Sequence, residues 1–183
     1  MDVVGIVGSL RKESFNRAVL TAARQLAPAE MSIVIHDIAD VPLYNFDVEQ
    51  AGDPDGVARL KAAIAAADGL LIVTPEYQHG TPGVLKNALD WASRPPRASV
   101  LMNKPVAIMG ASPGMTGTAR AQTQLRQTLT SATCCVLPPP ELLIASVHHK
   151  VHDGELTDEA TRSHIEKALV RFATWIISAR SPT

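Results

Sequence analysis

Val3-Val4-Gly5-Ile6-Val7-Gly8-Ser9-Leu10-Arg11-Lys12-Glu13-Ser14-Phe15-Asn16 carries a strand, a turn and the start of a helix in one short stretch. Val3 to Val7 is an unbroken apolar run rich in β-branched side chains, which reads as a short strand. Gly8-Ser9 breaks the run. Ser14 is placed to cap a helix whose apolar face is Phe15, Val19, Ala23 and Leu26, with Pro28 close behind it. A strand that passes through a small-residue turn into a helix N-terminus opens a strand-helix-strand unit. The same alternation then runs through the chain.

Ile33-Val34-Ile35 is a second strand, and Pro42 interrupts the loop after it. Asp55 or Gly56 opens a helix with Val57, Leu60, Ile64 and Ala67 on one face. Gly69 to Thr74 is a third strand, ended by Pro75. A helix after Pro82-Gly83 shows the stripe Leu85, Ala88, Leu89 and Ala92. Pro105 to Met109 is a fourth strand closed by Gly110, and a more polar helix from Thr118 to Ser131 is anchored by Leu125 and Leu129. Cys134 to Leu137 reads as a fifth, buried strand, stopped by Pro138-Pro139-Pro140. Residues 138–154 form the one long irregular stretch. Thr157 is expected to cap a last helix, with Asp158 and Glu159 at its positive end and the stripe Ile165, Leu169, Phe172 and Ile176. Strands that are apolar throughout suit a parallel sheet covered on both faces. The expectation is an α/β fold over residues 1–183 as a single domain, a five-stranded parallel sheet in the doubly wound order 2-1-3-4-5. A ligand then belongs outside the carboxyl ends of the strands, at the switch between strands 1 and 3. That directs attention to the loops after strands 1, 3 and 4.

Composition narrows the function. With 17 Lys+Arg against 18 Asp+Glu the net charge is -1, which argues against nucleic acid as a partner. No apolar run approaches the length of a membrane span, so no membrane partner is expected. The acidic Met1-Asp2-Val3-Val4 start lacks the basic n-region of an export signal. Two adjacent cysteines cannot frame a disulfide scaffold, and a reducing, cytoplasmic location is the simplest reading.

The first loop, Gly8 to Asn16, offers small residues, the hydroxyls of Ser9 and Ser14, the Asn16 amide, the Arg11 charge and a helix N-terminus. Together these fit a phosphate, although a helix cap with incidental serines is an equal reading of composition alone. The loop is neither G-x-x-x-x-G-K-[ST] nor G-x-G-x-x-G. The second, Thr74 to Gly83, is rigid and polar, with two prolines, two glycines and Tyr77 to meet a planar heterocycle. The third, Gly110-Ala111-Ser112-Pro113-Gly114-Met115-Thr116-Gly117, also matches the G-x-S-x-G nucleophile elbow of serine hydrolases. The oxyanion hole there needs the N–H of the residue after the serine, and Pro113 has none.

Gly8-Ser9-Leu10-Arg11-x-x-Ser14-x-Asn16 resembles the flavin-phosphate loop of the NADPH-dependent FMN reductases, a flavodoxin-like family that includes quinone, chromate and azo-dye reductases. Pro75-Glu76-Tyr77 with Pro82 to Trp91 is similar to its second signature, and Gly110 to Gly114 to its third loop. The likeness runs from Val3 to about Leu137. It implies a flavodoxin-like three-layer sandwich and an FMN whose phosphate is held by Ser9, Arg11, Ser14 and Asn16. The isoalloxazine would be approached by Pro75, Glu76, Tyr77 and Gln78 and by Ser112 and Gly114. It further implies NADPH or NADH as co-substrate, a small-molecule electron acceptor, quinones first, and a homodimer or homotetramer. The flavin carries the chemistry, so no catalytic acid or base is named. Gln78, where many members have asparagine, and His79-Gly80-Thr81 depart from the pattern on the substrate side.

Two other readings stay open. A flavodoxin-type electron carrier would be strongly acidic and rich in aromatics, against a net charge of -1 and 4% aromatic residues here. A non-enzymatic flavin-binding module is the other. His148-His149-x-x-His152 lacks the H-E-x-x-H arrangement and reads as a solvated loop, so no metal is expected. Trp91 reads as packing, while Lys86, Asn87 and Asp90 fit either a surface or an interface.

Overall fold

The computed structural model describes residues 1–180. Its main sheet contains β1 (Asp2–Val7), β2 (Ser32–His36), β3 (Gly69–Thr74), β4 (Pro105–Ala111) and β5 (Cys135–Val136), in the order β2-β1-β3-β4-β5. All of these pairings are parallel. Helices α1 (Phe15–Gln25) and α6 (Glu159–Arg180) cover one face; α3 (Asp55–Ala66), α4 (Gly83–Ala92) and α5 (Ala119–Ser131) cover the other. Neighbouring residues on each strand serve different cores. Val3, Val7, Leu71, Val73, Ala107 and Met109 pack beneath α1 and α6. Val4, Ile6, Leu70, Ile72, Val106 and Ile108 pack beneath α3, α4 and α5. The period of two is present but hidden, because both faces are apolar.

The fifth strand differs from expectation. Only Cys135 and Val136 pair with β4, opposite Pro105 and Val106. The edge resumes further along as β6 (Leu142–Ile144), paired with Met109 to Ala111. Pro138-Pro139-Pro140 interrupts it, because proline has no N–H for the ladder. The carbonyls left there are taken up by arginines: Arg171 donates to Pro138 O at 2.6 Å and to Pro140 O at 3.1 Å, and Arg126 to Leu137 O at 2.9 Å. Cys134 and Cys135 are half-buried rather than buried. Burial, reinforced by Cys135, pushes the Cys134 thiol up to about 12, so it stays protonated and inert.

The rest of the long stretch is ordered too, as a 3₁₀ turn (Val147–His149) and a hairpin of β7 (Val151–His152) with β8 (Glu155–Leu156). His148, His149 and His152 are all exposed. The cap of α6 is Asp158 rather than Thr157: the Asp158 carboxylate accepts from Thr161 N at 2.9 Å, while the Thr157 hydroxyl turns back to Lys150 O. Its expected stripe, Ile165, Leu169, Phe172 and Ile176, is fully buried. A short helix not foreseen, α2 (Phe46–Ala51), sits in the loop after β2. Asn45 caps it, accepting from Asp47 N at 2.9 Å. That loop is strapped across α4. Trp91 Nε1 and Asn87 Nδ2 both donate to Pro42 O, at 2.8 and 2.9 Å, and Tyr44 N donates to Asn87 Oδ1. Asn87 is therefore a strap, and Lys86 and Asp90 form an exposed i,i+4 pair at 2.6 Å.

Candidate functional site

The first loop leaves β1 tied to the neighbouring strand, with Gly8 N donating to Val73 O at 2.9 Å. Ser9 is buried; its hydroxyl lies 3.2 Å from Tyr77 OH and accepts from Arg11 N at 3.3 Å. Ser14 holds the N-cap position of α1, as its extended backbone requires, yet its hydroxyl caps no helix N–H. Arg11 stands over the Phe15 ring at 5.3 Å. Among the described residues none of Arg11, Lys12 and Arg17 has an ion-pair partner. The uncommitted Ser14 hydroxyl, the unpaired cations and a positive helix end are a donor set for an anion. Asn16 takes a different part. Its carboxamide exchanges two hydrogen bonds with the Ala111 backbone, donating to O and accepting from N, each 2.9 Å. It ties the first loop to the third.

The second loop uses its polar groups internally. Glu76 turns its carboxylate to the N-terminus of α5, accepting from Arg120 N at 3.0 Å and Ala121 N at 3.1 Å. Arg120 and His79 lie at 3.5 and 3.6 Å. Burial alone would raise this carboxyl, but the two backbone donors, Arg120 and His79 together outweigh it and hold Glu76 below its ordinary value. Only its backbone is left to meet a ligand. Tyr77 and Gly80 close a tight turn by exchanging backbone hydrogen bonds at 3.1 and 3.0 Å. Gln78 and His79 within it have φ of 48° and 63°, the left-handed region that favours asparagine and glycine. Thr81 is fixed to α5 through Gln124 Oε1 at 2.6 Å.

The third loop is held by close packing. A Cβ at Gly110 would stand 2.5 Å from Thr74 O and closer still to Thr118 Oγ1, so only glycine fits between β3 and the start of α5. Ser112 donates to Gly117 O at 2.5 Å and accepts from Gly114 N at 3.2 Å. Its hydroxyl closes the loop and meets no base there. With Pro113 next to it, the hydrolase reading has neither an activated nucleophile nor an oxyanion donor.

Each of the three loops also exposes one large apolar side chain: Leu10, Tyr77 and Met115, the last 84% exposed. Sequence reasoning missed Leu10 and Met115, which carry no polar signal. An anion cradle beside an apolar rim matches the two halves of FMN, a phosphate and a flat ring. Across the described residues, no group of His, Cys, Asp and Glu is arranged to hold a metal. A cavity of about 640 Å³ lies at the other end, between the C-terminal ends of α4 and α5. It is remote from the strand ends where such folds bind ligands.

A doubly wound sheet with these three loops at its carboxyl ends defines a flavodoxin-like flavoprotein. The match to known proteins makes the class specific: the signature of the NADPH-dependent FMN reductases covers residues 1–149, and the chain belongs to that family. It is similar to an NAD(P)H-dependent FMN reductase of Pseudomonas aeruginosa, 47% identical over 96% of this chain and 95% of that protein. A quinone reductase of Escherichia coli is 43% identical, over 96% of this chain and 95% of its own length. Among solved structures, FerB from Paracoccus denitrificans, a flavoenzyme NAD(P)H:(acceptor) oxidoreductase, superposes with a TM-score of 0.88 at 36% identity, covering 97% of each chain. The chain is an NAD(P)H-dependent flavin oxidoreductase.

Proposed function

We propose that this chain, as one flavin-binding domain over residues 1–183, passes two electrons from NADPH or NADH to quinones and similar small oxidants, with chromate, azo compounds and free flavin as further candidates. FMN, when bound, supplies the redox chemistry. The phosphate is held by Ser9, Arg11, Ser14 and the N-terminus of α1, with Asn16 bracing the loop. The ring is met by the backbone of Pro75 and Glu76, by Tyr77 and Gln78, and by Ser112 and Gly114. The observation that carries this reading is the link between loops: Tyr77 reaches Ser9 at 3.2 Å and Asn16 grips Ala111, so three loops act as one binding edge. Quinone reductases among the relatives support the acceptor. The half-exposed Tyr77 and an aromatic content of only 4% suit an open face shared by both substrates in turn. No described helix is long and apolar enough to cross a membrane; we place the protein in the cytoplasm as a homodimer or homotetramer.

Two substrates sharing one face must alternate. Steady-state rates with NADPH varied at several quinone levels are expected to give parallel double-reciprocal lines. Intersecting lines would mean that both substrates bind together and would end the shared-face mechanism.

A further inference from the structure

The start of α1 forms one wall of a second cavity, and the turn of the β7–β8 hairpin forms the other. The space between them is about 500 Å³ and is lined by Arg11, Lys12, Glu13, Ser14, Arg17 and Asp153 among others. That is ample for part of a nucleotide. Three cations, Arg11, Lys12 and Arg17, share the cavity with the carboxylates of Glu13 and Asp153, and no ion pair joins them among the described residues. Arg17 is half-buried. Ser14, only 5% exposed, brings a hydroxyl that caps nothing. The positive end of α1 adds to the field. One flavin phosphate is provided for by Ser9, Arg11, Ser14 and the helix end. Lys12 and Arg17 are surplus to it.

The facing wall differs in chemistry. Asp153 stands in the hairpin turn with φ of 50°, beside Gly154. A carboxylate there accepts hydrogen bonds from ribose hydroxyls, whereas a guanidinium suits a ribose 2′-phosphate. Arg11 and Ser14 belong both to this cavity and to the phosphate loop, so its occupant neighbours the flavin phosphate. The adenosine end of a dinucleotide whose nicotinamide lies at the open face is such an occupant.

We propose that this cavity takes the adenosine 2′-phosphate end of NADPH, with Lys12 and Arg17 on the 2′-phosphate and Asp153 on the remaining ribose hydroxyl. The inference rests on the reductase function proposed above and adds a preference for NADPH over NADH. It also gives the segment after Pro138 a task, because the hairpin supplies one wall.

The test is calorimetric titration of the FMN-loaded protein with adenosine 2′,5′-bisphosphate, adenosine 5′-phosphate and inorganic phosphate. The bisphosphate is expected to bind at least about tenfold more tightly than either of the others. Lys12→Ala with Arg17→Ala should abolish that preference while FMN content and melting temperature hold. Equal affinity for the two adenosine ligands, or a preference that survives the double substitution, overturns the inference. So does inorganic phosphate binding as tightly as the bisphosphate, which would make this a plain anion site. Failure of the wild-type protein to retain FMN would instead overturn the reductase reading, and the inference with it.

Discussion

The loops after β1 and β3 lie side by side and are equally polar, but they treat their polar groups in opposite ways. The β3 loop turns them inward: Glu76 caps α5, Thr81 is bound to Gln124, and Tyr77 to Gly80 closes on itself. The β1 loop commits Ser9 and Asn16 but leaves other groups open. Ser14 caps nothing, and Arg11 and Lys12 pair with no described carboxylate. Satisfied groups stabilise the fold; unsatisfied ones await a ligand. Substitutions in the β1 loop should therefore cost binding with little stability, and those in the β3 loop the reverse.

The largest effect is expected in the β1 loop. Arg11→Ala with Ser14→Ala removes charged hydrogen bonds worth roughly 1.5–3 kcal/mol each. Loss of about 3 kcal/mol weakens FMN roughly a hundredfold. Flavin fluorescence titration reads this directly, and the melting temperature should scarcely move. Full FMN affinity in the folded double variant would erase the contrast between the loops.

Next comes Glu76. Glu76→Ala strips the cap from α5 and leaves the Arg120 and Ala121 N–H groups without their acceptor, a loss of about 1–2 kcal/mol in denaturant unfolding. The pH dependence follows from the direction of its shift. The carboxyl is held below its ordinary 4.5 in the folded chain. Its contribution is thus complete above about pH 4.5 and is lost as pH falls through the lower folded value. Glu76→Gln should flatten that part of the acid limb. An unchanged acid limb would remove Glu76 from the stabilising groups.

The smallest effects belong to the Tyr77–Gly80 turn. Gln78 and His79 both occupy left-handed backbone. Gln78→Asn is expected to stabilise by about a few tenths of a kcal/mol by relieving that cost, whereas His79→Gly gives back part of the same gain by losing the 3.6 Å contact with Glu76. Gln78→Asn should also change the ranking of quinone acceptors more than it changes FMN retention. A shift in FMN affinity with no change among acceptors would move Gln78 from the substrate side to the cofactor side.

How far the sequence could be read depended on how local its signals were. β1 and β3 announce themselves as apolar runs ended by Gly8 and Pro75, and β4 as an apolar run that, against expectation, carries on through Gly110 to Ala111; each is buried on both faces. The strand order and the three ligand loops follow from that alternation. The broken edge was hidden, since Leu142-Leu143-Ile144 is too short to read as a strand until β4 is seen beside it. Helix α2 was masked by Pro42, although Asn45 followed by Asp47 and Glu49 is a start signal. The direction of side chains was the least legible. Nothing local says that Asn16 turns to Ala111 or Glu76 to α5, because both partners lie more than forty residues away in sequence.

The most direct test of the whole reading is an absorbance spectrum of the purified protein, taken after FMN loading and gel filtration and repeated after anaerobic addition of NADPH. Flavin bands that stay with the protein and bleach with one equivalent of NADPH are the expected result. Loss of FMN on the column would contradict the flavin site, and bound flavin left unbleached by both NADPH and NADH would contradict the reductase.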